Sequence, residues 1–211
     1  MRGAHKLSSG NRVLGFRDAH RFAFCSDPSR LAQHAGQRDG GGETVLRNLF
    51  CRCLHRHHVQ YMHEHNVRIR FIGYIQGLSE ELQTIISDSE ALTKNNTGLT
   101  LQLAINYGGR DEIVRTVQGI AHSVLEGQLA VQDITEQYVS SHLYTQEFSD
   151  VDLLIRPSKD YRISNFLLWQ LAYAEFWFTD LHWPDFTKET LLEAIAAYQK
   201  RERRFGGLQE E

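Results

Sequence analysis

The amino-acid sequence predicts a single α/β domain with a mainly parallel central sheet flanked by helices. Three observations carry that expectation. Short β-rich runs at 67–73, 99–105 and 151–155 alternate with longer stretches of helical periodicity, the pattern of strand–helix–strand units. The length, 211 residues, suits one domain with one substantial core. Hydrophobic residues make up 41% and charged residues 23%, so neither a disordered chain nor a membrane-embedded one is expected.

The elements follow in order. From Glu43 to Glu64, Val45, Leu46, Leu49, Phe50, Cys53, Leu54 and Tyr61 recur at helical spacing, giving a helix with one buried face. VRIRFIG (67–73) alternates and is rich in β-branched residues, as a strand should be. Ser79 to Lys94 forms a second amphipathic helix, with Leu82, Ile85 and Ile86 inward. Ser79 stands at its cap, and Glu80 and Glu81 at the positive end of its dipole. Leu99 to Ile105 is the second strand and Asn106-Tyr107-Gly108-Gly109 a turn. Asp111 to Leu125 is a helix with Ile113, Val117, Ile120 and Val124 on one face. Val151 to Ile155 is the third strand. Asn165 to Phe178 reads as an almost wholly apolar helix, more apolar than one buried stripe requires, so an interface is expected on it. Thr187 to Arg204 closes the chain as an amphipathic helix carrying Leu191, Leu192, Ile195 and Tyr198.

Residues 1–42 differ in composition from the domain expected over 43–211. The first fifty residues hold eight Lys or Arg against four acids and seven of the 16 glycines, including Gly40-Gly41-Gly42, with little periodicity. Poor order is the expectation there. A net charge of −3 gives no reason to expect nucleic acid as partner. No apolar run reaches the roughly 18 residues of a spanning helix, and no secretory signal is present. The three cysteines (Cys25, Cys51, Cys53) form no disulfide framework, so a cytoplasmic chain with reduced thiols is expected.

The densest chemistry lies between Asp152 and Phe186. Arg156 and Arg162 flank a polar loop that ends at Ser164, beyond the carboxyl end of a predicted strand, where ligands of parallel sheets bind. The planar guanidinium fork suits phosphate oxygens. Ser164 and Asn165 also stand where they could cap the apolar helix, whose first amides favour an anion. Glu175 is the single acid of that helix, and carboxylates are rarely buried unless paired or bound to metal. A magnesium-bridged phosphate is one reading of this set; surface arginines and an acid at the exposed edge of a helix are the other. Cys51, Cys53, His55, His57, His58, His63 and His65 cluster in the sequence, and period-two spacing would align Cys51, Cys53, His55 and His57 on one face of a strand. The segment reads as a helix, where i and i+2 diverge by about 200°, so no zinc site is expected.

DLLIR, RISNFLLWQLAYAE and FTDLHWPDF resemble the C-terminal signature of the cis-prenyltransferases, typified by undecaprenyl diphosphate synthase. HEHNVRIRFIG (63–73), ALTKNNTGLTLQLAINYGGRDEI (91–113) and RERRFGG (201–207) resemble the same family in the same order, from about Leu46 to Gly207. The resemblance implies that Arg156, Arg162 and Ser164 hold the diphosphate of isopentenyl diphosphate. It implies that Glu175 binds Mg2+, across the subunit interface of a homodimer. Arg204, in a tail similar to the family's Arg-x-Gly motif, would reach the partner's diphosphate site. The implied reaction condenses isopentenyl diphosphate with a farnesyl-type allylic diphosphate to a cis-polyprenyl diphosphate such as undecaprenyl diphosphate. A peripheral location at the inner membrane face goes with such a product.

Two departures bear on activity. Where the family has Thr-Gly-Gly-Glu or Thr-Ser-Gly-Glu, this chain has Pro157-Ser158-Lys159-Asp160, which lacks the glycine that favours φ > 0. The family's Asp-Gly-Asn-Gly-Arg motif, whose Asp holds magnesium on the allylic diphosphate, is not found. Ser9-Gly10-Asn11-Arg12 is a faint echo, and Phe22 to Asp27 resembles a later family segment. A truncated start with a frame-shifted stretch would account for both, and the catalytic residue stays unknown. Two functional classes therefore stand: the enzyme itself, or a non-catalytic accessory subunit that dimerises with a full-length homologue.

Overall fold

The computed structural model describes residues 22–24, 56–148 and 150–201, with backbone alone for 22–24 and 56. Most of the expected N-terminal segment 1–42, the first part of the predicted helix at 43–64, the three cysteines, His55 and Arg204 lie outside the described residues. Five strands are described: β1 (Phe22–Phe24), β2 (Arg68–Ile72), β3 (Thr100–Ala104), β4 (Leu153–Arg156) and β5 (Glu175–Phe178). The helices are α1 (Arg56–Glu64), α2 (Glu80–Thr93), α3 (Gly109–Leu125), α4 (Glu136–Ser140) and α5 (Lys188–Gln199). Every pairing is parallel: β4 lies between β1 and β5, and β2 pairs with β3. The predicted α/β class with a parallel sheet is the one observed.

Burial of β4 on both faces explains its unbroken apolar run. Leu153 and Ile155 pack with Ala194 and Tyr198 of α5, while Leu154 packs with Ile72, Leu167 and Leu171 on the other face. Side chains alternate along a strand, so each face receives its own set.

β2 packs Ile69 and Phe71 against Val59 of α1 and Leu82 and Ile86 of α2. Side chains of α2 satisfy its amides on the edge away from β3. Thr93 Oγ1 accepts from Ile69 N at 3.0 Å, and Glu90 Oε1 accepts from Phe71 N at 2.8 Å. A buried amide left without an acceptor would be costly, so these two residues close the edge. At the other end of β2, Gly73 has φ +128°, and a Cβ there would lie 1.9 Å from the Ile105 carbonyl oxygen.

The structure corrects the expected helix at Asn165–Phe178. Residues 164–173 form successive turns, and Glu175–Phe178 is the strand β5. Left-handed backbone at Ser164, Asn165 and Leu167 (φ 50°, 62° and 45°) interrupts helical winding. From Glu175 onward, aromatic residues suited to strands pair with β4, beginning with Glu175 N donating to Asp152 O at 2.9 Å. The buried face of α3 also differs from expectation: Gly109, Glu112, Thr116 and Ile120 are inward, and Val117 is exposed. Ser79 occupies the N-cap position of α2 but makes no side-chain capping bond.

Thr93→Val keeps the shape of the buried side chain but leaves the Ile69 amide without its acceptor. It is expected to cost about 1–3 kcal/mol, read as a lower urea midpoint at unchanged m-value. An unchanged midpoint would show that the edge is closed by other means.

Candidate functional site

Two loops meet beyond the carboxyl ends of β3 and β4. The first leaves β4 at Arg156, whose side chain is 2% exposed. A buried guanidinium needs a counter-charge, and Asp160 supplies it. Arg156 Nη2 donates to Asp160 Oδ2 at 3.0 Å and to Ser164 Oγ at 3.4 Å. Asp160 Oδ1 lies 2.9 Å from Nη2 of the exposed Arg162. One carboxylate thus ties a buried guanidinium to an exposed one, with the Ser164 hydroxyl beside them. The three residues singled out in the sequence converge, and Asp160, which the sequence reading noted only as part of a departing loop, is what joins them. Its spacing, four residues after one arginine and two before the other, was the available signal.

The turn between them carries the strain that its sequence implies. Ser158 and Lys159 have φ of 76° and 57° without being glycine. Bonds to the chain beyond β5 hold them there: Ser158 N donates to Leu181 O at 2.7 Å and Lys159 N to Thr179 O at 3.3 Å.

The second loop leads from β3 into α3. Asn165, expected to help cap an apolar helix, instead caps α3. Its carbonyl accepts from Gly109 N at 2.7 Å and its Oδ1 from Arg110 N at 2.9 Å. One turn further on, Glu112 is 1% exposed and fully engaged. Its carboxylate accepts from Tyr107 Oη at 2.6 Å, Tyr144 N at 2.8 Å and Gln170 Nε2 at 3.3–3.4 Å. Gln170 also donates to Thr145 Oγ1 at 2.9 Å. Burial, and then the hydrogen bond to and charge of Glu112, hold the Tyr107 phenol protonated far above its ordinary range. This network ties α3 to the turns at 141–148 and 164–173. The sequence reading missed Glu112 and Gln170, because a charged residue in a first helical turn ordinarily faces water.

Glu175 is not part of this constellation. It pairs with Leu153, at the opposite end of β4 from Arg156, and so about 10 Å away along the strands. Pairing in register with Leu153 also puts it on the α5 face, whereas Arg156 shares the face of Leu154. There Glu175 Oε2 meets Arg201 Nη1 at 2.6 Å, and the same nitrogen donates to Phe176 O at 3.0 Å. Magnesium commonly takes one or two carboxylates plus substrate phosphates. Glu175 is a hard oxygen donor with a 29% exposed side chain. Among the described residues, however, no group of three or more His, Cys, Asp or Glu side chains could hold a metal. The residues of one chain do not fit an ion bridging Glu175 to a phosphate on Arg156.

Fold and loop together define an α/β protein with two arginines joined by one carboxylate at the carboxyl end of a parallel strand. The Prenyltransf family model of undecaprenyl diphosphate synthase matches residues 36–206, and the chain belongs to that family. It is 50% identical over 152 residues to a Pasteurella multocida ditrans,polycis-undecaprenyl-diphosphate synthase described as (2E,6E)-farnesyl-diphosphate specific, covering 72% of this chain and 63% of that one. It is 52% identical over 143 residues to an isoprenyl transferase of Geobacillus kaustophilus, covering 68% and 56%. The crystal structure of lavandulyl diphosphate synthase from Lavandula x intermedia, in complex with dimethylallyl diphosphate, superposes with a TM-score of 0.78 at 35% identity, covering 88% of this chain and 78% of that one. The matched region thus spans 63% and 56% of the length of the two curated relatives.

Two outcomes test this geometry. Ser158→Gly relieves a left-handed side chain and is expected to raise stability by about 0.5 kcal/mol, net of glycine's greater unfolded freedom; a lower denaturant midpoint would contradict the strain. Because Tyr107 is held protonated in the fold, its contribution is complete below pH about 10 and is lost as pH rises beyond it. Tyr107→Phe is expected to cost about 1–3 kcal/mol at neutral pH by removing a donor from buried Glu112, and to flatten the alkaline decline. Superimposable stability–pH profiles for the two proteins would refute that account.

Proposed function

We propose that this chain binds isopentenyl diphosphate at the Arg156–Arg162–Ser164 loop and takes part in cis-prenyl transfer. The observation that carries the reading is the convergence of Arg156 and Arg162 on Asp160 beyond a parallel strand, with the Ser164 hydroxyl against Arg156. Asp160 holds Arg156 and Arg162 in position before ligand arrives, so little ordering is left for binding to do. Arg162, exposed, closes on the diphosphate; Arg156, buried, aligns it; the Ser164 hydroxyl donates to it.

In the reaction that follows from family membership, an allylic diphosphate ionises and the alkene of isopentenyl diphosphate attacks the cation. Loss of a proton then leaves a new cis double bond. The loop's contribution is to hold the attacking alkene in place through its diphosphate. Farnesyl diphosphate is the allylic partner we infer, and a long-chain cis-polyprenyl diphosphate the product. Magnesium enters this reading in a dimer, where Glu175 of one chain serves a diphosphate held by the other. Arg204 belongs to the same cross-chain arrangement. Among the described residues no helix is long and apolar enough to cross a membrane; we place the protein in the cytoplasm, with its product side at the inner membrane face.

One observation favours a second reading. The Asp-Gly-Asn-Gly-Arg motif is not found in the 211 residues. A chain without it would hold isopentenyl diphosphate but lack its own anchor for the allylic substrate, and would act as an accessory subunit beside a full-length homologue.

Titration with isopentenyl diphosphate is expected to show binding, weakened about tenfold or more by Arg162→Ala through loss of charge-assisted hydrogen bonds. Equal binding by the variant, or none by the unaltered protein, would overturn the site. Incorporation of labelled isopentenyl diphosphate with farnesyl diphosphate and magnesium separates the two readings. Long-chain product suppressed by Arg162→Ala identifies the enzyme. Binding without product identifies the accessory subunit.

A further inference from the structure

We propose that Asn165 is the positioning residue of the diphosphate loop, fixing Ser164 by locking its turn onto the first turn of α3. The inference rests on the reading of Arg156, Arg162 and Ser164 as the diphosphate site and adds the element that sets its geometry.

Three observations carry it. Asn165 supplies both acceptors for the start of α3, its carbonyl to Gly109 N and its Oδ1 to Arg110 N, from 55 residues further along the chain than Arg110. These are orphan donors of a helix start, which a local cap would ordinarily take; the residue at that position, Gly108, has no side chain to do so. The helix start is also built for close docking. A Cβ on Gly108 would lie 2.8 Å from Asn165 Nδ2, and one on Gly109 would lie 2.8 Å from Leu168 Cγ and 3.2 Å from Asn165 O. Finally, Ser164 and Asn165 are consecutive left-handed residues. Asn tolerates that conformation better than most residues, whereas Ser164 is held in it by its neighbour's two bonds.

The chemical consequence is specific. With the Gly109 and Arg110 amides occupied by Asn165, the diphosphate is bound by side chains rather than by helix amides. The Ser164 hydroxyl stays 3.4 Å from Arg156 only while the turn is docked. Asn165 touches neither guanidinium in the described contacts, so its effect passes through Ser164.

The test is isopentenyl diphosphate affinity, by calorimetric titration of the full chain well below the melting temperature. Asn165→Ala, which loses the Oδ1 acceptor of Arg110 N and the left-handed preference, is expected to weaken binding about five- to tenfold. Asn165→Gly retains the backbone conformation and carbonyl and should recover part of that loss. Thr187→Ala removes the side-chain cap of α5, where Thr187 Oγ1 accepts from Thr190 N; it should lower stability comparably and leave affinity within twofold. Asn165→Ala binding as tightly as the unaltered protein, or Thr187→Ala weakening binding equally, would overturn the proposal. Arg162→Ala, measured alongside, separates the two layers. If it also leaves affinity unchanged, the diphosphate site itself is wrong; if it alone weakens binding, only the positioning role falls.

Discussion

Leu153, Leu154, Ile155 and Arg156 are all buried, with parallel strands hydrogen-bonded on both sides of β4 and a separate apolar cluster against each face. The arrangement of the site follows from how that strand must end. Three apolar residues satisfy both faces, but the fourth is an arginine with a 2% exposed side chain. Its charge cannot be buried alone, so the chain immediately beyond turns back to bring Asp160 against it. That turn requires left-handed backbone at Ser158 and Lys159, and it leaves Arg162 beside the same carboxylate and Ser164 beside Arg156. A packing constraint in the sheet thus becomes a paired-guanidinium site at its edge.

The same alternation separates Glu175 from that site. In-register pairing places Glu175 beside Leu153 and Phe178 beside Arg156, so the acid and the arginine lie at opposite ends and on opposite faces. Arg201 neutralises Glu175 and caps the Phe176 carbonyl. Within one chain the sheet therefore holds the acid and the loop arginines apart.

Parts of this were legible in the sequence. The strands at 68–72 and 100–104 and the helices at 80–93, 109–125 and 188–199 lie where period-two and period-3.6 patterns put them. The run 165–178 departs from the helix its sequence suggests because its residues are apolar almost throughout, and a run without a polar stripe carries burial but little period. Three left-handed residues, none of them glycine, then redirect the backbone, and the partner that turns Glu175–Phe178 into a strand lies more than twenty residues upstream. The contacts of Asp160, Asn165, Glu112 and Gln170 are not legible in the sequence for a related reason. Each is polar and unremarkable locally, and each acquires its role from a contact with another segment.

Fold class and family could be read without coordinates, because they rest on local periodicity and on motifs read in order. Which residues meet was set by the packed fold. It brought Asn165 to the start of α3, placed one carboxylate between two arginines and put Glu175 on the far face. Side-chain alternation, parallel register and the pairing of buried charge all act between segments distant in the chain, so only the assembled fold could express them.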